Sequence, residues 1–442
     1  MIRLLMLLVG ARALRRKWPV LTFLGFLWMA LGLAIMADAS DGVTMVATEA
    51  FAILLLFEGF GALAFYTLAP RRRGYTVLFK AVSLLILGCM ILDFPFDVDV
   101  ENSLLFGIAF LIDGCARIAT AAVLRFPKWQ MIAAGGVLEI GLATLALSNW
   151  PVSHHQTVPF CIGVALLLSG WTVLRLGLML RRLPDNIPVL SLSLFEWRGW
   201  HGLPTPLPTA QPSARVRHRT PLMVHVWTPV GSAENPERRL LIDRYVAAVD
   251  GRGMISTGHA ALELLPDLYI SHYPMVETDH SPEAFVHSLR ATAENDVAGK
   301  FQPSYAFESA DWCPADAHVE FHSYDADRLR AHWTAYSRNS TYNLTNRNCS
   351  ITVAVALEAA LEGILDDGTA WRRFFTLMAN PDLWLAALLR ARAESMTWTP
   401  GLVLDYARSL HAIIEPHRSA WRRRLQVMLR HHHRGGMAKR PA

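Results

Sequence analysis

Three residues have types and spacing from which chemistry can be built: Cys349, His259 and His272. Cys349 stands in "YNLTNRNCSITVAVALEAALEG", Tyr342 to Gly363, where Val353, Leu357, Ala360, Leu361 and Ile364 recur at helical spacing. That stretch reads as a helix with one buried face. Asn346 or Asn348 is a fair N-cap, which places Cys349 in the first turn. Free amides and the helix dipole there favour a thiolate over a thiol. A nucleophilic sulfur also needs a base. "GHAALELLPDLYISHYP" supplies two imidazoles, His259 at the head of one strand and His272 near the end of the next. Turn residues beside both predict a hairpin that brings them together. His259 then takes the proton from Cys349 and returns it to the leaving group, while His272 orients that imidazole. Taken singly, a helix cysteine or a strand histidine is a packing residue. The ordered occurrence of all three favours chemistry.

The elements that must position them read as strands at "LMVHVWTPV", "GHAALEL", "LYISHYP" and "HVEFHSYD", with helices over about 281–294, 325–338 and 349–364. Strands followed by helices predict a compact α+β domain over residues 222–366. The set "GHAALEL…YISHYP…NRNCS" resembles the circularly permuted papain-like folds, in which histidine precedes cysteine. It is closest in pattern to the NlpC-type proteins related to lecithin:retinol acyltransferase. The likeness covers residues 222 to 365, and its histidine and Asn-Cys boxes match His259, His272 and Cys349 by type and order. It implies a thiol enzyme with a thioester intermediate resolved by water or another acceptor. Relatives cleave peptides or isopeptides, hydrolyse lipid esters or transfer acyl chains. After the cysteine, "SITVAVAL" lacks the Glu-His-Phe of the acyltransferase branch, which points toward peptide or amide cleavage over lipid-ester chemistry.

The first half of the 442-residue chain is of another kind. The composition, 52% hydrophobic and 18% charged, averages over an apolar half and an ordinary soluble half. Six stretches, about 18–37, 44–68, 76–94, 103–125, 129–149 and 157–180, approach the roughly 20 apolar residues that span a bilayer as helix. Arg12, Arg15, Arg16 and Lys17 precede the first. Arg71 to Arg73, then Arg125 and Lys128, then Arg181 and Arg182 lie at alternate connections. The remaining connections hold "DASDG", "DVDVEN" and "SNWPVSHHQT", without lysine or arginine. This asymmetry predicts a multi-pass protein of the bacterial inner membrane with both termini cytoplasmic. Gly59, Gly114 and Gly170 repeat in "LLFEGFGALAFYTLAPRRR", "FLIDGCARIATAAVLRFPK" and "LLLSGWTVLRLGLMLRR", which predicts three helical hairpins in close contact. Over residues 15 to 182 this pattern resembles the HdeD-type membrane proteins, associated with acid resistance. Glu58, Asp113, Arg117 and Glu139 lie inside the spans and Lys80 near an end. They read as helix-to-helix pairs in preference to a proton or ion pathway.

The expected architecture is therefore multi-domain. A six-helix membrane domain of three hairpin repeats (1–183) leads through a Pro-rich linker (184–221) to the permuted papain-like domain. A helical, basic extension (367–442) follows. Leu4 to Val9, backed by Ala11-Arg12-Ala13, is too short and too weakly charged at its start for a signal peptide. Five cysteines at unpaired spacing argue against a disulfide framework. Cys313, His318 and His322 fall short of a zinc ligand set. Ser271 offers no serine chemistry, because adjacent strand residues face opposite ways. "GRGMISTGH" lacks the lysine and spacing of a phosphate-binding loop. No metal or cofactor is implied. The basic C-terminus reads equally as a segment on anionic lipid or as a solvated tail, and nothing argues for nucleic acid. The expected partners are membrane lipid and a peptide, protein or lipid substrate at the cytoplasmic face. The competing expectation is a non-catalytic HdeD-like stress protein with a cytoplasmic binding domain.

Overall fold

The structure, a computed structural model, describes residues 1–10, 15, 17–41, 46–68, 75–92, 99–126, 129–150, 153–182, 190, 217–229, 248–249, 255–276, 287–366 and 376–415. A short helix, α1 (Ile2–Val9), precedes six apolar helices: α2 (Trp18–Asp41), α3 (Val46–Leu68), α4 (Tyr75–Ile91), α5 (Asp99–Leu124), α6 (Trp129–Ser148) and α7 (His154–Arg182). Four of these, α2, α5, α6 and α7, are long and apolar enough to cross a membrane. In α3 and α4 the apolar stretches found among the described residues are shorter, Ala52–Ala64 and Leu78–Met90.

The helices pack in pairs: α3 with α4, α5 with α6, and α7 with α2. Two pairs join helices consecutive in sequence, whose connecting residues include Arg71 to Arg73 in one case and Arg125 and Lys128 in the other. The last helix closes the third pair with the first. Each repeated glycine faces its helix's partner. A Cβ on Gly114 would lie 2.7 Å from the Gly136 carbonyl oxygen, and one on Gly170 would lie 2.7 Å from the Met29 amide. Any side chain there drives the backbones apart, so glycine at this interval is what permits the close approach.

The soluble half is built on an antiparallel sheet of order β5-β4-β1-β8. Its strands are β1 (Arg217–Trp227), β4 (His259–Leu264), β5 (Leu268–Ile270) and β8 (Ala317–Ser323). Two small ribbons accompany it, β2 (Ala248–Val249) with β3 (Ile255–Ser256), and β6 (His272–Pro274) with β7 (Gly299–Phe301). Among the described residues, five helices complete it: α8 (Tyr305–Asp311), α9 (Ala326–Tyr336), α10 (Cys349–Leu361), α11 (Pro381–Ser395) and α12 (Pro400–Ile414). Alternation divides the sheet. Leu222, Val224 and Val226, with Ala260, Leu262 and Phe321, join the main core with α10 and α12. Trp227, Ala261 and Tyr269 face the other way, toward Tyr305 on α8.

Three features depart from the expected boundaries. Leu4 to Val9, all 1% exposed or less, form a helix inside the soluble core. The α1 carbonyls of Leu7 and Leu8 accept from the amides of Gly363 (2.8 Å) and Leu365 (2.9 Å), just past α10. The stretch beyond residue 366 is likewise core: α11 and α12 contribute Leu383, Ala386, Leu402 and Leu410. A buried network ties them in. Arg390 Nε donates to Glu358 Oε1 (2.8 Å), as does the Tyr406 hydroxyl (2.8 Å). The first strand, too, begins at Arg217, before the expected start of the domain. Most of the linker, the basic tail beyond Glu415, and the first part of the helix expected over 281–294 lie outside the described residues. The described part of that helix is helical at residues 287–288, and a 3₁₀ turn, Ala293–Asn295, follows.

Candidate active site

Of the two capping candidates, Asn348 is the cap. Its Oδ1 accepts from the Ile351 amide (2.8 Å), and its Nδ2 donates to Leu344 O (2.8 Å) and Trp398 O (3.1 Å). The side chain thus ends the loop, starts the helix and clamps both to the segment before α12. Cys349 is the first helical residue and is buried. Its sulfur lies 3.7 Å from Ser350 Oγ. The Ser350 hydroxyl and the backbone of Ala260, the residue after His259, favour its thiolate, against the larger effect of burial.

His259 is buried and stacked on Tyr273, ring centroids 4.0 Å apart. Its Nε2 lies 2.9 Å from Ser271 Oγ and 3.2 Å from Glu308 Oε1. Glu308, in the first turn of α8, is equally buried and accepts from the hydroxyls of Tyr269 (2.6 Å) and Tyr273 (2.6 Å). Ser271 Oγ can donate or accept, so this hydrogen bond admits the proton on either ring nitrogen. With the proton on Nε2, Nδ1 is the lone-pair nitrogen and the one able to act as a base. Among the described residues, neither imidazole is hydrogen-bonded to the thiol.

His272 is turned elsewhere. Its Nε2 donates to Ser340 O (3.1 Å), and its Nδ1 lies 2.9 Å from the Tyr336 hydroxyl. That hydroxyl is 2.7 Å from Thr352 Oγ1 on α10. His272 therefore braces the helix that carries Cys349, and the groups on His259 are Ser271 and Glu308. Strand alternation is the reason: of the neighbours Ser271 and His272, only one side chain can face His259. Glu308 was not singled out in the sequence, where no helix was expected over 305–311; the local signal for one is Ser304, which caps it by accepting from the Phe307 amide.

Burial sets the charge states. It pushes the Cys349 thiol up against the pull of the Ser350 hydroxyl and the Ala260 and Ser350 amides. Desolvation thus outweighs the helix-end stabilisation expected from sequence. It pushes His259 down to about 3, with His272 adding to the effect, and His272 down to about 4. At neutral pH the site holds a thiol and two neutral imidazoles.

No family model, curated protein or solved structure matches the chain. The reading of the site rests on its own geometry.

Other residues singled out in the sequence are occupied separately. His318 Nδ1 lies 2.9 Å from His225 Nδ1, and His322 Nδ1 is 3.3 Å from His218 O. Cys313 offers its carbonyl to the Trp227 indole (2.8 Å). Among the described residues no three histidine, cysteine or acidic side chains are grouped to hold a metal. In the apolar helices, Lys80 pairs with Glu58 (2.6 Å), and Arg117 pairs with Asp113 (2.8 Å) and Glu139 (3.0 Å).

The same histidines make the soluble half acid-labile. His332 joins His259 and His272, held down at about 4 by burial. Each folded-state value lies below that of the unfolded chain, so the unfolded chain binds protons that the folded one refuses. Their stabilising effect is complete above about pH 6.5 and is lost as pH falls toward 4, at up to about 1.4 kcal/mol per pH unit per histidine. Near-UV circular dichroism should show the thermal midpoint of the soluble half falling steadily between pH 6.5 and 4. A constant midpoint across that range would contradict the assignment.

Proposed function

We propose that the chain is a membrane-anchored cysteine hydrolase or acyltransferase acting at the cytoplasmic face of a bacterial inner membrane. It would cross that membrane six times. The carrying observation is a buried cysteine opening a capped helix in the same interior as a buried histidine, whose Nε2 is hydrogen-bonded to Ser271 Oγ (2.9 Å) and lies 3.2 Å from the buried Glu308 carboxylate. Such a site supports attack from a neutral pair. His259 Nδ1 accepts the thiol proton as sulfur adds to an acyl carbon, and Glu308 stabilises the imidazolium that forms. Collapse of the adduct leaves a thioester on Cys349, and His259 returns the proton to the departing amine or alcohol. Water or another acceptor then releases the acyl group by the reverse sequence. The resemblance to permuted papain-like proteins favours a peptide or amide bond, with a lipid ester as the other substrate class.

A second reading is favoured by the raised thiol pKa, which an inert packing cysteine also shows. On that reading the chain is a non-catalytic HdeD-like stress protein with a binding domain. Labelling with an electrophilic amide probe separates the two. The enzyme reading expects Cys349 to label faster than the half-buried Cys313, with the His259→Ala variant slowing Cys349 by about a hundredfold or more. Equal, slow labelling of both cysteines, unchanged by His259→Ala, would end it.

A further inference from the structure

Helix α11 is apolar on two sides. Its inner side packs Leu383, Ala386 and Ala393 into the soluble core around the buried Arg390. Its outer side presents Trp384 (40% exposed) and Leu388 (65% exposed), one turn apart, with Ala391 and Arg392 continuing that stripe. A helix lying between core and water would place polar residues at those positions.

What faces this stripe is indicated by α4, against which α11 packs. Lys80, inside the apolar stretch Leu78–Met90, donates from Nζ to Ala379 O (2.9 Å), just before α11. The same ammonium lies 5.5 Å from the centre of the Trp384 ring. The first turn of α11 is therefore level with the apolar part of α4. On α4 the exposed large apolar residues there are Phe79 (73%), Val82 and Ile86, with Ser83 also exposed. Trp384 and Leu388 extend that apolar surface sideways onto the soluble half.

We infer that the outer face of α11 lies in the interfacial layer of the bilayer, against acyl chains. Trp384 takes the headgroup level that tryptophan favours, and Lys80 reaches out of the apolar layer to the α11 entry and to Glu58. Arg392, near the C-terminal end of α11, is placed to meet lipid phosphate. The partner of this surface is lipid, and the soluble half is seated in the membrane by one of its own core helices. The inference rests on α4 being a span, which belongs to the proposed six-span arrangement.

The test uses the full chain in nanodiscs, with native cysteines replaced and the environment-sensitive fluorophore NBD attached at Leu388→Cys or, separately, at Val82→Cys. Brominated phosphatidylcholine should remove most of the fluorescence at both positions, and aqueous iodide little at either. If Val82 is quenched by bromolipid and Leu388 only by iodide, the seating of α11 is overturned while the span stands. If Val82 itself is quenched by iodide and not by bromolipid, the span fails and the inference falls with it.

Discussion

Deleting residues 2–9 will unfold the soluble half while leaving the apolar helices intact. The reason is area. Leu4, Leu5, Met6, Leu7, Leu8 and Val9 are all buried in the core that holds the sheet, α10 and α12. Each such side chain contributes about 1.5–3 kcal/mol on burial. Losing all of them removes on the order of 10 kcal/mol, comparable with the whole stability of a typical domain at about 5–15 kcal/mol. The deletion also strips the amides of Gly363 and Leu365 of their acceptors. Leu7→Ala alone should cost about 2–5 kcal/mol. The urea midpoint of the soluble half, followed by limited proteolysis in membranes, measures both. A midpoint unmoved by the deletion would show that α1 is dispensable. For the same reason, residues 184–442 expressed alone should be recovered folded only when a peptide of residues 1–10 is supplied.

Glu308→Gln should abolish turnover more severely than its distance from the sulfur suggests. Glu308 Oε1 lies 3.2 Å from His259 Nε2 and, on the proposed mechanism, would stabilise the imidazolium that forms during attack. An amide keeps the volume and can still accept from Tyr269 or Tyr273, but it carries no charge. By analogy with acid–histidine pairs elsewhere, the expected loss in kcat is about 10²–10⁴-fold. Losing the nearby negative charge further disfavours the imidazolium, so an acid limb governed by His259 should shift to lower pH. Glu308→Asp should restore part of the rate. If kcat falls no further than the loss of stability explains, with an unshifted pH profile, Glu308 is only a structural link between two tyrosines.

The parts of this molecule legible in sequence are those set by local periodicity. Apolar run length placed the six helices, and alternation placed β1, β4, β5 and β8. The Asn-Cys pair marked the start of α10, because a cap and a buried face are properties of a single segment. The missed residues depend on distant partners. Glu308 matters only because α8 folds over the outer face of the sheet, more than forty positions from His259 in sequence. Ile2–Val9 is too short for its pattern to reveal what covers it. The helices after residue 366 carry apolar residues on both sides, a pattern that marks neither an independent extension nor part of a core until their neighbours are known. The hydrogen-bond partner of His259 is Ser271, while His272 bonds to Tyr336 and Ser340, a difference of one residue that sequence pattern does not resolve.

The burial of α1 also constrains how the chain threads the bilayer. Residues 2–9 and the strands from residue 217 onward share one interior, so the proposed six-span arrangement has to return both to the same side of the bilayer, with an even number of crossings between them. A variant that added or removed one crossing would strand the opening segment across the bilayer from its site.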